Sequence, residues 1–358
     1  VLVLLLSAVS FLTPHDCVAQ NRSFLIGGVF GLTGEAAAFG REELNAAQLA
    51  IEEVNAQGPI HLTLKVEDSA STGLGTVSAV KKLLELDGIK YIIGPTWLDT
   101  FQGCLPLIER RGVLAISPSA SMPVMKRAPS QYPLVFSTYF NFQREVSALM
   151  ENASRQGLKR VTILFDQDPY FVEMRRIANE AAKNFSIEIV VDQEFSSGET
   201  NFHPLILQAQ RARSDAMIFA SANHASALAF VKQRNQLAPS LIILGSHDFE
   251  GHERNPAFGG LLHNILYMAP DKPSQDFLTR YRDKYSTTPI MTAPNSFDSV
   301  MFLSNALRSG AQTPEQVAGY LQHTEHDSVS FGKVRFSVYG GIESGNFIAR
   351  GALINDRR

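Results

Sequence analysis

The residues best equipped for chemistry sit where two short apolar runs end. Gly94-Pro95-Thr96-Trp97 follows Tyr91-Ile92-Ile93, and Ser117-Pro118-Ser119-Ala120-Ser121 follows Val113-Leu114-Ala115-Ile116. Backbone NH groups with the hydroxyls of Thr96, Ser119 and Ser121 can hold an anion, and Trp97, the only tryptophan, can cover an apolar body. This is binding chemistry rather than bond-breaking chemistry. His247-Asp248 could form a metal or acid–base pair, but no second His or Cys stands at ligand spacing beside it. Cys104, among Leu105, Leu107 and Ile108, reads as a small core hydrophobe rather than a nucleophile.

Gly27, Gly28, Gly31 and Gly34 suggest a dinucleotide loop, with Glu67-Asp68 as a ribose-binding acid. The spacing is not G-x-G-x-x-G, and Asp68 lies well beyond the usual ~20 residues. The P-loop lysine motif and the G-x-S-x-G elbow are both absent. An enzyme is therefore the weaker class.

The elements that position these residues read as alternating strands and helices. Short apolar runs bounded by Gly and Pro suit strands buried on both faces, and the 91–123 stretch reads as strand, one helix, strand. Before it come a strand at Phe24–Phe30, a helix ending near Gly58-Pro59, a strand at Leu62–Val66 and a helix through Val77–Leu84. The pattern is a doubly wound parallel sheet, with ligands expected outside the carboxyl ends of its strands. A second series starts with a helix at about 143–156 and has strands at 161–165, 187–191, 216–220 and 241–244. Leu266–Pro270 reads as a return strand, with helices at 274–285 and 295–309 completing the first domain. Residues 332–336 and 346–349 alternate like a hairpin. Two such lobes joined by several extended crossings describe a hinged clamp.

A chain of 358 residues fits two domains, and 45% apolar residues is a globular composition. A net charge of −3 without a basic run argues against nucleic acid or an anionic membrane as the main partner. At the N-terminus, Val1 to Leu12 and then Cys17-Val18-Ala19 match a signal-peptide core and a cleavage site after Ala19. Lipid attachment through Cys17 is the alternative. Without Cys17 only Cys104 remains, so no intramolecular disulfide is expected and stability must come from the core.

Taken in order, Gly31-Leu32-Thr33-Gly34-Glu35-Ala36-Ala37-Ala38-Phe39-Gly40, Ala50-Ile51-Glu52-Glu53-Val54-Asn55, Ile93-Gly94-Pro95, Ile116–Ser121, Gly198–Phe202 and Phe331–Phe336 carry a resemblance over nearly all of the mature chain. The chain resembles the type I periplasmic solute-binding proteins of ABC importers, in the branch that binds leucine, isoleucine and valine. The resemblance implies an α/β fold of two doubly wound parallel-sheet lobes joined by a three-crossing hinge. It places a signal peptide at 1–19, the first lobe at 24–138 plus 268–330, and the second lobe with the hinge return at 139–267 plus about 331–358. It also implies a monomer that captures a small solute by cleft closure, without a cofactor, and delivers it to a membrane permease from the periplasm or another extracytoplasmic space.

Position by position, the resemblance puts Phe39 against the ligand side chain, the Ser119-Ala120-Ser121 segment on a ligand carboxylate, and Tyr170 reaching in from the second lobe. Asn141 falls near an acidic position that helps bind an amino group. Asn223 and His247 or Asp248 fall where further polar contacts arise. Leu98, with Trp97 before it, stands where many amino-acid binders have a carboxylate-holding serine. The ammonium half of the site then rests on Asp248, so an amide or an aromatic carboxylate joins the amino acids as a candidate solute. A solute-sensing module and a cleft amidase using Cys104 are the alternatives.

Overall fold

The computed structural model describes residues 22–122, 128–343 and 347–351. The signal-peptide reading and Cys17 lie outside the described residues. The first sheet contains β1 (Arg22–Phe30), β2 (Ile60–Asp68), β3 (Tyr91–Ile93), β4 (Leu114–Ser117) and β5 (Val135–Ser137). All pairs are parallel, in the order β2-β1-β3-β4-β5. The helices between them are α1 (Ala37–Gln57), α2 (Gly73–Leu86), α3 (Leu98–Gln102) and α4 (Leu105–Arg111). The expected single helix of the 91–123 stretch is thus two short ones, parted at Gly103-Cys104. Registry pairs Tyr91 with Leu114 and Ile93 with Ile116, so β3 and β4 end on the same edge.

The second lobe begins with α5 (Phe142–Arg155) and continues through β6 (Arg160–Asp166), α6 (Pro169–Asn184), β7 (Glu188–Phe195), α7 (His203–Arg211), β8 (Ala216–Ala220), α8 (His224–Leu237), β9 (Ile242–Gly245), α9 (Asp248–Arg254) and β10 (Ile265–Pro270). The chain then returns through α10 (Gln275–Tyr285), α11 (Thr292–Arg308), α12 (Pro314–His323), β11 (His326–Ser328) and β12 (Gly332–Val334), and β13 (Phe347–Arg350) follows. The second sheet has the order β13-β10-β9-β8-β6-β7, parallel except for β13.

Two expectations are corrected. Leu266–Pro270 is not a return strand: β10 pairs in parallel with β9, so the second sheet runs to Pro270 and the crossing follows it. The two terminal runs do not form a hairpin with each other. β12 pairs with β11, while β13 pairs antiparallel with β10 at the edge of the second sheet. Each run lies at the edge of its sheet and is at least half exposed, and such an edge strand does not name its partner.

Helices cover both faces of each sheet. In the first lobe α1 lies against α11 over one face, and α2, α3 and α4 pack the other. The second lobe splits its core likewise, with α5 and α6 on one side and α7, α8 and α9 on the other. Gly40 permits the tight start of α1, because a Cβ there would come within 2.2 Å of the Gly31 carbonyl oxygen.

In each sheet the strand order reverses once, between β1 and β3 in the first and between β6 and β8 in the second. Ligands of open α/β sheets bind at such reversals. Among the described residues, the chain passes between the lobes at 138–141 and at 271–274. Tyr170 at the start of α6 packs on the Leu98, Ala120 and Met122 cluster of the first lobe, so the two strand-end edges meet.

Candidate functional site

The first-lobe half is built on the turns after β3 and β4. The Ser117 hydroxyl donates to the Pro95 carbonyl at 2.7 Å and accepts the amides of Ser119 (3.3 Å) and Ala120 (3.1 Å). Those two amides therefore serve the turn itself. Trp97 holds φ at +66°, a strained value for a bulky residue, and its NH donates to Ser119 Oγ at 2.9 Å. Its ring meets Phe39 edge-on, with centroids 5.6 Å apart. Ser121 Oγ is buried with no hydrogen-bond partner among the described residues.

Glu43 lies beneath this surface, on the buried stripe of α1 with Gly40, Ala46, Ala47 and Ala50. The Thr96 hydroxyl donates to its Oε2 at 2.6 Å and accepts the Gly31 amide at 3.1 Å. Complete burial pushes the Glu43 carboxyl up to about 7, against the opposing pull of the Thr96, Ser119 and Thr292 hydroxyls.

The second-lobe half centres on His247, which is 4% exposed, and Glu145, which is 0% exposed. Glu145 accepts the His247 amide at 2.6 Å, and its oxygens lie 3.0 and 3.1 Å from Nδ1. His247 Nε2 is 3.0 Å from the Tyr139 hydroxyl and 3.6 Å from Asp248 Oδ1. Burial alone would favour neutral imidazole, but Glu145 and Asp248 outweigh it and His247 is lifted to about 9. An imidazolium donates from both nitrogens, which turns the Tyr139 O–H away from the ring. Burial holds the Tyr139 and Tyr170 phenols well above their ordinary range, so both remain O–H donors. The Tyr170 ring lies 5.1 Å from Phe142 and 6.3 Å from His247.

Phe39, Trp97, Leu98, Ser119, Ala120 and Ser121 thus share the first-lobe edge, and Tyr170, His247 and Asp248 share the second. The side chains of Asn141 and Asn223 do other work. Asn141 Oδ1 caps α5 through the Gln143 amide, and Asn223 Oδ1 caps α8 through the amides of Ala225 and Ser226. Asp248 Oδ2 accepts the Ser246 hydroxyl at 2.5 Å. Asp68 clamps the glycine turn by accepting the amides of Leu32 and Ala70 and the Thr33 hydroxyl. Cys104 is fully buried, and burial pushes its thiol up to about 12.

Sequence reasoning missed Glu43, Tyr139 and Glu145. Both acids carry a readable signal, since each falls on the apolar stripe of its helix. No group of three or more metal-ligating side chains occurs among the described residues. A cavity of about 260 Å³ also opens between the lobes, beside α9, α10 and the start of α11. None of the sequence-predicted site residues lines it.

The sequence matches the family described as periplasmic binding protein over residues 24–346, and the chain belongs to that family. It is 24% identical over 333 residues to the Leu/Ile/Val-binding protein BraC3 of Rhizobium johnstonii, covering 90% of this chain and 89% of the relative. A leucine-, isoleucine-, valine-, threonine- and alanine-binding protein of Pseudomonas aeruginosa is 22% identical over 327 residues, covering 88% of this chain and 86% of the relative. Among solved structures, the branched-chain amino acid transporter substrate-binding protein LivJ of Streptococcus pneumoniae, in complex with isoleucine, superposes with a TM-score of 0.77 at 21% identity. That match covers 92% of this chain and 100% of the other. A solute-binding protein of an ABC transporter from R. palustris, in complex with 4-hydroxybenzoate, gives a TM-score of 0.80 at 16% identity over 93% of this chain and 94% of the other.

Proposed function

We propose that this protein is the extracytoplasmic solute-binding component of an ABC importer, which captures a small amino-acid-like carboxylate between its lobes and presents the closed form to a membrane permease. The observation that carries the reading is the seam at the two strand-end edges. There Tyr170 of the second lobe seats on Leu98 and Ala120 of the first, and the buried Ser121 hydroxyl has no partner among the described residues. A buried hydroxyl left unpaired costs about 1–3 kcal/mol, which a polar solute would recover. The names of the relatives support branched-chain amino acids as the first solutes to try.

One feature favours a second reading, an aromatic carboxylate. His247, a cation held by Glu145, occupies the place where an acidic ammonium partner was sought. The edge-on Phe39–Trp97 pair offers an aromatic wall instead. Burial of Cys104 counts against the amidase alternative.

A thermal-shift screen with leucine, isoleucine, valine and 4-hydroxybenzoate separates the readings. A ligand at 100 times its dissociation constant adds about 2.7 kcal/mol, a readily visible shift. Ser121→Ala combined with Tyr170→Ala should then weaken the active solute by about tenfold or more, as two lost hydrogen bonds predict. Unchanged affinity in a folded double variant refutes this placement of the site.

A further inference from the structure

We propose that the cavity beside the 271–274 crossing is a second binding site, distinct from the strand-end seam, for a small organic anion with an apolar body. The site goes beyond solute capture at that seam. Its volume of about 260 Å³ falls just under the ~300–1,000 Å³ of pockets for drug-sized ligands, so its occupant is small. Both lobes build it: α9 and β13 contribute from the second, and α10 and the start of α11 from the first.

Charge selects the class of ligand. Arg254, Lys272, Arg282 and Arg350 line the cavity against only Glu250 and Asp271. Arg254 and Arg350 share a single carboxylate oxygen, Glu250 Oε1, at 3.2 and 2.9 Å. Lys272 and Arg282 make no ion pair among the described residues. Cationic side chains from both lobes therefore converge on one space with charge to spare, and an anion there would meet several of them at once.

The rest of the wall specifies the body of the ligand. Leu278, Ile290, Met291 and Phe331 supply apolar surface. Asn295, 1% exposed, also lines the cavity, and its Oδ1 has no partner among the described residues. Its Nδ2 is engaged by the Pro118 carbonyl at 3.1 Å. Arg254 already donates across the lobes to the Pro289 carbonyl at 3.2 Å. An occupant held by Arg254 on one side and by Arg282 on the other would strengthen that tie and favour the closed arrangement.

The test uses benzoate as probe and methionine methyl NMR of the whole protein as readout. Met291 lines the cavity, whereas Met122 lies with Ala120 at the seam, so the two methyls report the two sites separately. Met291→Leu assigns the first resonance. Millimolar benzoate should shift the Met291 methyl saturably, and neutral benzamide should not. Lys272→Glu with Arg282→Glu, both at exposed positions, should weaken the effect by about tenfold or more, while Ser121→Ala leaves it unchanged. A melting temperature matching the parent protein shows that the double variant is folded, and Lys272→Ala with Arg282→Ala replaces it if it is not. No shift at Met291, an equal response to benzamide, or a response insensitive to the charge changes overturns the proposal. Loss of the Met291 response in Ser121→Ala also overturns it, by placing the probe in the seam.

Discussion

Glu145→Gln is the sharpest perturbation of the second-lobe site, because it removes one charge and almost no volume. In the parent protein burial penalises the His247 imidazolium, yet Glu145 and then Asp248 raise it from 6.5 to about 9. At about 1.4 kcal/mol per pH unit, that rise is worth about 3 kcal/mol of folding stability. The sign follows from the raised value: the contribution is complete below pH 6.5 and is lost as pH climbs through 9. It belongs to the Glu145–His247 pair, since burial also raises Glu145 above its ordinary value. In the variant the carboxylate is gone, and desolvation should drive the ring below 6.5.

Two measurements check this. NMR titration of the His247 ring should show its midpoint falling from about 9 to below 6.5. Chemical unfolding should show a loss of about 3 kcal/mol near pH 6 that shrinks toward pH 9 and above. A His247 that still titrates near 9 in the variant refutes the reasoning. So does a stability loss of equal size at both ends of that range.

Asn141→Ala and Asn223→Ala should each cost about 1 kcal/mol in chemical unfolding, the worth of a helix cap, with solute affinity within about twofold of the parent. A large affinity loss without destabilisation would contradict the capping role. Cys104 should resist an aromatic disulfide reagent in the native protein and react once urea unfolds it, because its thiol is buried and pushed up to about 12. Glu43→Gln should abolish a pH dependence of the parent: raising the buried carboxyl from 4.5 to about 7 makes the fold lose about 3 kcal/mol as pH rises across that interval. Parallel stability curves for parent and variant from pH 4.5 to 7 would sink that assignment.

Much of the fold was legible because it rests on local signals. Tyr91-Ile92-Ile93 and Leu114-Ala115-Ile116 are continuous apolar runs, and both are strands buried on each face. The helix limits at Gln57 and Tyr285 likewise agree with the reading of an end near Gly58-Pro59 and of a helix over 274–285. Strand partnership was less legible. The run 265–270 has the composition of any buried strand, and only β9 beside it assigns it to the second sheet. β12 and β13 are both short edge strands, yet they join different lobes.

The site divides along the same line. Ser119, Ser121 and Trp97 were legible because the turns that hold them follow directly from the strands. Glu43 and Glu145 were equally written in the chain, as acids at positions where helical periodicity demands an apolar residue. Glu43 falls in line with Gly40, Ala47 and Ala50, and Glu145 with Phe142 and Leu149. An ionisable group on a buried stripe must be met by hydrogen bonds or an opposite charge from another element, since burying it alone costs several kcal/mol. Periodicity therefore announces that a partner exists without saying which residue it is. Thr96 stands 53 residues from Glu43, and His247 stands 102 from Glu145. Those distances are closed only by the sheet orders. β1 and β3 lie side by side and bring the turn that carries Thr96 over α1. The β9–α9 turn returns over the start of α5 and sets His247 on Glu145. Both pairings place a costly group directly beneath a strand-end edge, and a solute entering the seam would act on the charge balance of both.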